Sequence, residues 1–192
     1  MQHTDTDRKI VVALERISEV FRSLLWDHAK VVGLSPIQIQ LLIFISYHAE
    51  ALCNVSHLAK EFQVTKPTIS DAIGVLLKKG LIEKRVSDTD RRAYAVVLTP
   101  EGEQMTQQTE NFADPLLSIL HQLPAGERRS FFTTLSKIIY GMNRAELLTV
   151  QRMCFRCRFY QKEGQEHYCR LLQVRLMEED IRLDCPEFEE MS

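Results

Sequence analysis

The sequence predicts a mainly α-helical protein with one small β-hairpin and a compact, metal-stapled module at its C-terminal end. Three observations predict it. Apolar residues recur at spacings of three and four over most of the chain, a period-two alternation occurs once, and four of the five cysteines lie beyond residue 149. The 192 residues are 45% hydrophobic and 26% charged, enough apolar side chain to bury a core. A net charge of −2 excludes a uniformly basic coat, so any nucleic-acid contact has to come from a local patch. No apolar run approaches the ~20 residues that span a bilayer, and MQHTDTDRK has no apolar signal core. The expectation is a cytoplasmic protein without membrane contact.

The first helix is expected over 7–31, where Ile10, Leu14, Ile17, Phe21, Leu24 and His28 form a heptad-like stripe. Val11, Val20 and Leu25 widen that stripe beyond a single seam, which suits a helix shared with a second copy of the chain. Gly33 ends it, and Ser35-Pro36 opens a second helix, apolar on most sides through Leu41, Leu42, Phe44 and Ile45. Asn54 precedes a short helix containing Leu58, Ala59 and Phe62. After Gln63-Val64, Thr65 caps another with Pro67 in its first turn and Ile69, Ile73 and Leu76 on one face. Gly80 stops it. Leu81 to Val86 and the alternating Tyr94, Val96 and Leu98 read as two strands joined by the polar tip Ser87 to Arg92. Thr99-Pro100-Glu101 starts a long helix reaching Leu120, and a last one runs from about Pro124 to Leu148. This divides the chain into a dimerisation helix (1–34), a winged helix-turn-helix (35–99), dimerisation helices (100–148) and a four-cysteine module (149–192).

The middle of the chain has a physical logic. A helix fits the major groove of DNA, and its first turn directs side chains and unsatisfied N–H groups at bases and phosphates. An arginine on a thin hairpin can enter the narrow minor groove, where the potential is most negative. Between Val55 and Thr99 there are eight basic and five acidic residues, a local +3 on a net-negative chain. The arrangement carries this reading; Lys78, Lys79, Lys84 and Arg85 taken singly are equally consistent with solvated charges.

Here the sequence resembles the MarR family of bacterial transcriptional regulators. The likeness covers residues 7–148 and is densest in Leu34-Ser35-Pro36-Ile37-Gln38, Leu58 to Phe62, Lys66-Pro67-Thr68-Ile69-Ser70, Lys78 to Ile82, Asp90 to Ala93 and Leu98 to Gly102. The resemblance implies a two-fold dimer on a pseudo-palindromic double-stranded DNA operator, a repressor, with a small and often aromatic anion as effector. It also implies that Thr65, Lys66, Pro67, Thr68, Ser70 and Asp71 face the major groove, while Arg91 or Arg92 reaches the minor groove braced by Asp88 or Asp90. The chain departs from the pattern at Asp71 and Val75, where family members often carry arginines, so bidentate arginine–guanine readout is not expected from this helix. Cys53, alone and without a cationic neighbour in sequence, reads as a buried hydrophobe rather than a redox thiol.

The tail reads Cys154-x2-Cys157-x11-Cys169-x15-Cys185-Pro186, interleaved with Phe155, Phe159, Tyr160, Tyr168, Leu171, Leu172 and Leu176. A segment of about forty residues rarely sustains a core unaided, so a metal held by Cys154, Cys157, Cys169 and Cys185 is physically reasonable. Structural zinc usually has two short chelating pairs, and only Cys154/Cys157 make one. The ligand spacing resembles that of high-potential iron–sulfur proteins, which places a [4Fe-4S] cluster first and zinc second. No nucleophile elbow, Walker lysine, dinucleotide loop or zincin motif is present, so no enzyme is expected. The reading is a DNA-binding regulator modulated by a cysteine-ligated centre. The alternatives are a regulator with a structural zinc tail sensing a small ligand, and a redox or electron-transfer protein.

Overall fold

The computed structural model describes residues 5–86, 94–148, 150, 152–164 and 166–191. Among the described residues, seven α-helices and five strands follow in the order α1 (Thr6–Val32), α2 (Pro36–Tyr47), α3 (Val55–Glu61), α4 (Lys66–Lys78), β1 (Ile82–Val86), β2 (Tyr94–Leu98), α5 (Pro100–Thr109), α6 (Asp114–His121), α7 (Ala125–Arg144), β3 (Tyr160–Glu163), β4 (Glu166–Cys169) and β5 (Val174–Leu176). They form two compact units, Met1–Val55 with Pro67–Ser118, and Ser56–Lys66 with Ile119–Ser192.

The first unit is built on α2, whose Ile39, Leu41 and Leu42 are fully buried. A helix apolar on every side has to be surrounded, and α1, α5 and β2 pack against it. The Gln38 side chain accepts from the Ser35 N–H at 2.9 Å and fixes the start of α2 behind Pro36. Gly33 and Gly80 both adopt the left-handed conformation, at φ 68° and 70°, and stop α1 and α4. Strands β1 and β2 pair antiparallel from Ile82↔Leu98 to Val86↔Tyr94. The hairpin is tied to the core where the Val96 N–H donates to the Cys53 carbonyl at 2.9 Å. In the other unit Leu58 and Met153 are fully buried and Ile181 nearly so.

Two features differ from the sequence expectations. The long helix from Pro100 is broken: a 3₁₀ turn over Glu110–Ala113 separates α5 from α6. Pro115 explains it, because a proline there cannot donate the N–H that would continue α5, whereas it is tolerated in the first turn of a new helix. The tail, for which no strand was expected, carries the antiparallel sheet β3-β4-β5. Gly164 at φ 61° makes the first turn, and Gln173 at φ 55° precedes β5. Among the described residues no single helix is long and apolar enough to cross a membrane.

Candidate nucleic-acid interface and cysteine centre

On α4 the burial divides cleanly. Ile69, Ala72, Ile73 and Leu76 are buried, while Thr65, Lys66, Pro67, Thr68, Ser70 and Asp71 are exposed. This follows from the 3.6-residue period: the apolar positions fall on one face and leave the polar first turn outside. The exposed turn has three hydroxyls, an ammonium and the N–H groups that no preceding helical carbonyl can satisfy, which suits phosphate and base-edge contact. Below it, Arg85 of β1 is committed to Glu50 at 2.7 Å, and Lys84 lies over the Tyr94 ring at 4.2 Å. Arg91 and Arg92, with Asp88 and Asp90, lie outside the described residues.

The base of the hairpin is held at α5. Thr99 Oγ1 donates to the Gly80 carbonyl at 2.6 Å and accepts from the Gly102 N–H at 3.1 Å, capping the helix. Beside it lies a cavity of about 520 Å³ lined by Tyr47, His48, Glu50, Cys53, Arg85, Val96, Glu103 and Glu110. Tyr47 donates to Glu110 at 2.5 Å, and that carboxylate raises the phenol's pKa. Burial, then Glu50, pushes the Cys53 thiol up to about 11, so it is neutral at physiological pH.

Residues 152–158 and 182–191 run alongside one another in the second unit. Cys154 N–H donates to the Arg182 carbonyl at 3.1 Å, Cys185 N–H to the Arg152 carbonyl at 2.9 Å, and Arg158 N–H to the Glu189 carbonyl at 2.8 Å. This pairing and the β3-β4 hairpin bring Cys154, Cys157, Cys169 and Cys185 to the wall of a common cavity, which Phe159, Tyr160 and three leucines share with Asp180, Arg182 and Glu187. All four thiols are free. Arg182 turns two donors toward sulfur, its backbone N–H to Cys154 Sγ at 3.3 Å and Nη1 to Cys185 Sγ at 3.7 Å. Burial nevertheless raises the pKa of both Cys154 and Cys185. Among the described residues, no three histidine, cysteine or carboxylate side chains close on one point as they would around a single ion. Four thiols are a donor set that zinc and iron–sulfur clusters share, and here Cys185 Sγ also donates to Glu187 Oε2 at 3.4 Å.

Arg152 was absent from the sequence reading. Its side chain is only 7% exposed, with Nη1 and Nη2 on the two carboxylate oxygens of Glu61 at 2.7 and 3.0 Å and Nε on Asp184 at 2.6 Å. Burial opposes its charge, but the bonds to Glu61 and then Asp184 outweigh that and hold its pKa above the ordinary value. The partners stand 91 and 32 positions away, and no spacing rule reaches that far.

With this geometry in place, the comparisons are informative. Residues 32–93 match the sequence profile described as MarR family. The fold is the MarR-type winged helix. A MarR transcriptional regulator from Methanosarcina mazei Go1 superposes with a TM-score of 0.62 at 19% identity, covering 72% of this chain and 99% of that one. The S. aureus MepR–DNA complex gives 0.59 at 22% identity, with 68% and 96% covered. CouR from Rhodococcus jostii RHA1, bound to p-coumaroyl-CoA, gives 0.58 at 18% identity over 70% and 94%. Each likeness therefore takes in about seven tenths of this chain and nearly the whole of the other.

Proposed function

We propose that this protein is a dimeric DNA-binding transcriptional regulator, a repressor, whose operator affinity is set by a centre held on Cys154, Cys157, Cys169 and Cys185. The observation that carries the DNA-binding reading is the exposed polar first turn of α4 on a MarR-type winged helix. MepR, of the same fold, has been seen on DNA. Support for the dimer comes from α1, where Ile10, Ile17 and Phe21 fall on one helix face and are exposed, an apolar stripe that water alone would cover poorly. A [4Fe-4S] cluster is favoured over zinc. What supports it is the ligand spacing Cys154-x2-Cys157-x11-Cys169-x15-Cys185, in which only Cys154 and Cys157 make the short chelating pair that structural zinc usually has twice. Such a centre supplies one-electron redox chemistry; the chain would hold it, shield it with Phe159 and the leucines, and stabilise its sulfurs through Arg182.

A small effector has a place in the cavity between α2, β2 and α5. Its wall carries Glu50, Glu103 and Glu110 against Arg85 alone, so it suits a neutral or cationic compound rather than the aromatic anion that the resemblance implies. CouR, which shares the fold, binds a coenzyme A thioester.

Two measurements test the reading. A random duplex library is incubated with the full-length protein and the bound fraction sequenced; a pseudo-palindromic motif is expected, and recovery without enrichment refutes sequence-specific binding. Protein purified without oxygen is then analysed for iron, sulfide and zinc alongside its absorption spectrum. Brown protein that bleaches in Cys154→Ser supports the cluster. A colourless protein with one zinc per chain makes the tail a structural zinc module.

A further inference from the structure

We infer that Arg152 is the positioning residue through which the cysteine centre acts on the helix-turn-helix, because its guanidinium joins Glu61, the last residue of α3, to Asp184, the neighbour of Cys185. The inference rests on the proposed reading of the protein as a regulator with a centre on the four thiols.

Arg152 lies in one of the two paired cysteine-bearing segments and bonds to the other. It lies two residues before Cys154, its carbonyl accepts the Cys185 N–H at 2.9 Å, and its Nε holds Asp184 at 2.6 Å. The opposite edge of the guanidinium makes a fork on Glu61, whose side chain is 18% exposed. His57, one turn earlier on α3, stands 3.8 Å from the same carboxylate, so the fork meets a crowded end of the helix. Four residues beyond Glu61 is Thr65, where the exposed turn of α4 begins. A planar fork with two parallel N–H···O bonds fixes direction as well as distance, which a flexible ammonium does not. A buried charge pair of this kind is a poor source of net stability compared with apolar packing, but it defines geometry closely. When Cys154 and Cys185 are fixed to one body, the separation of Arg152 and Asp184 is fixed with them, and α3 is held in one orientation. Loss of that body frees residues 182–187, and the guanidinium can follow Asp184 or Glu61 but not hold both in place. The two sites then share one two-state element, which is what coupling between them requires.

The test uses the full-length protein, prepared without oxygen and then either left loaded or stripped with a chelator. Its probe is a fluorescent duplex taken from the wild-type selection. In wild type, loading is expected to change the Kd by roughly 5–150-fold, the usual range for coupled sites. Arg152→Lys keeps the charge but not the fork, and Glu61→Gln keeps the shape but not the charge. Both are expected to retain wild-type metal content and absorption while the loaded-to-stripped ratio falls below about twofold. A purely structural Arg152 would lower the melting temperature and leave the ratio intact, which overturns the inference; so does a wild-type ratio in Glu61→Gln. If Arg152→Lys fails to fold, Glu61→Gln decides alone. Wild type that binds metal and DNA with affinity independent of loading overturns this inference and leaves both binding functions standing. Wild type without metal, or without DNA binding, overturns the reading beneath it.

Discussion

Gly102→Ala sets two effects of opposite sign against each other at the base of the wing. Gly102 is the third residue of α5, and its backbone is helical, so propensity alone favours alanine by about 1 kcal/mol. A Cβ at Gly102, however, would stand 1.9 Å from the Leu81 carbonyl oxygen and 2.9 Å from its carbon. Both obstacles are backbone, and Leu81 is anchored where its carbonyl accepts the Thr99 N–H at 3.1 Å. Relief needs a shift of about 1 Å in either α5 or β1, with overpacking of this kind costing ~1–3 kcal/mol or somewhat more. Rotating the first turn away also breaks the Thr99 cap on Gly102, worth about 1 kcal/mol. The steric and capping losses total about 2–4 kcal/mol and exceed the propensity gain, for a net destabilisation of about 1–3 kcal/mol. Urea unfolding followed by circular dichroism reads this directly. With a slope of about 2 kcal/mol per molar, the midpoint falls by about 0.5–1.5 M. A midpoint equal to wild type or higher refutes the close approach of α5 to Leu81.

Further outcomes follow from the same geometry. The Cys53 thiol, raised by burial to about 11, binds its proton more tightly folded than unfolded. Stability is therefore lost as pH rises from its ordinary value of 9.0 through about 11, and Cys53→Ala should flatten that part of the profile. Iodoacetamide treatment of the native protein at about pH 7.5 should leave Cys53 unmodified by mass spectrometry; rapid labelling would show that the thiol is accessible. Leu76→Ala removes a fully buried side chain from α4 and should cost about 2–5 kcal/mol in the same urea assay. Replacing Arg91 and Arg92 by alanine should weaken DNA binding and reduce the slope of log K against log salt by about 1 per lost phosphate contact. An unchanged slope would mean that the hairpin tip does not touch DNA.

How much was legible depends on the range of the interaction. Residues acting on their own backbone were readable: Gly33 and Gly80 as left-handed stops, Thr99-Pro100 as a helix start, and the one-sided pattern that buries Ile69, Ile73 and Leu76 while exposing Lys66, Thr68, Ser70 and Asp71. Pro115 was equally visible, yet the apolar spacing continuing through Leu116, Leu117 and Leu120 concealed the break that it makes before α6. The tail's strands were hidden because β3, β4 and β5 have three or four residues each, too few for alternation to show. The cysteine spacing pointed to a common site, but its closure depends on residues 182–191 pairing back along 152–158. By itself, then, the sequence determined the helical periods, the turns and the paired strands β1 and β2, because each is specified within a few residues of the backbone that it shapes. The tertiary structure alone decided that α3 shares a unit with the cysteine module and that Arg152 meets Glu61 and Asp184, since contacts across 91 and 32 positions exist only after the intervening chain has folded.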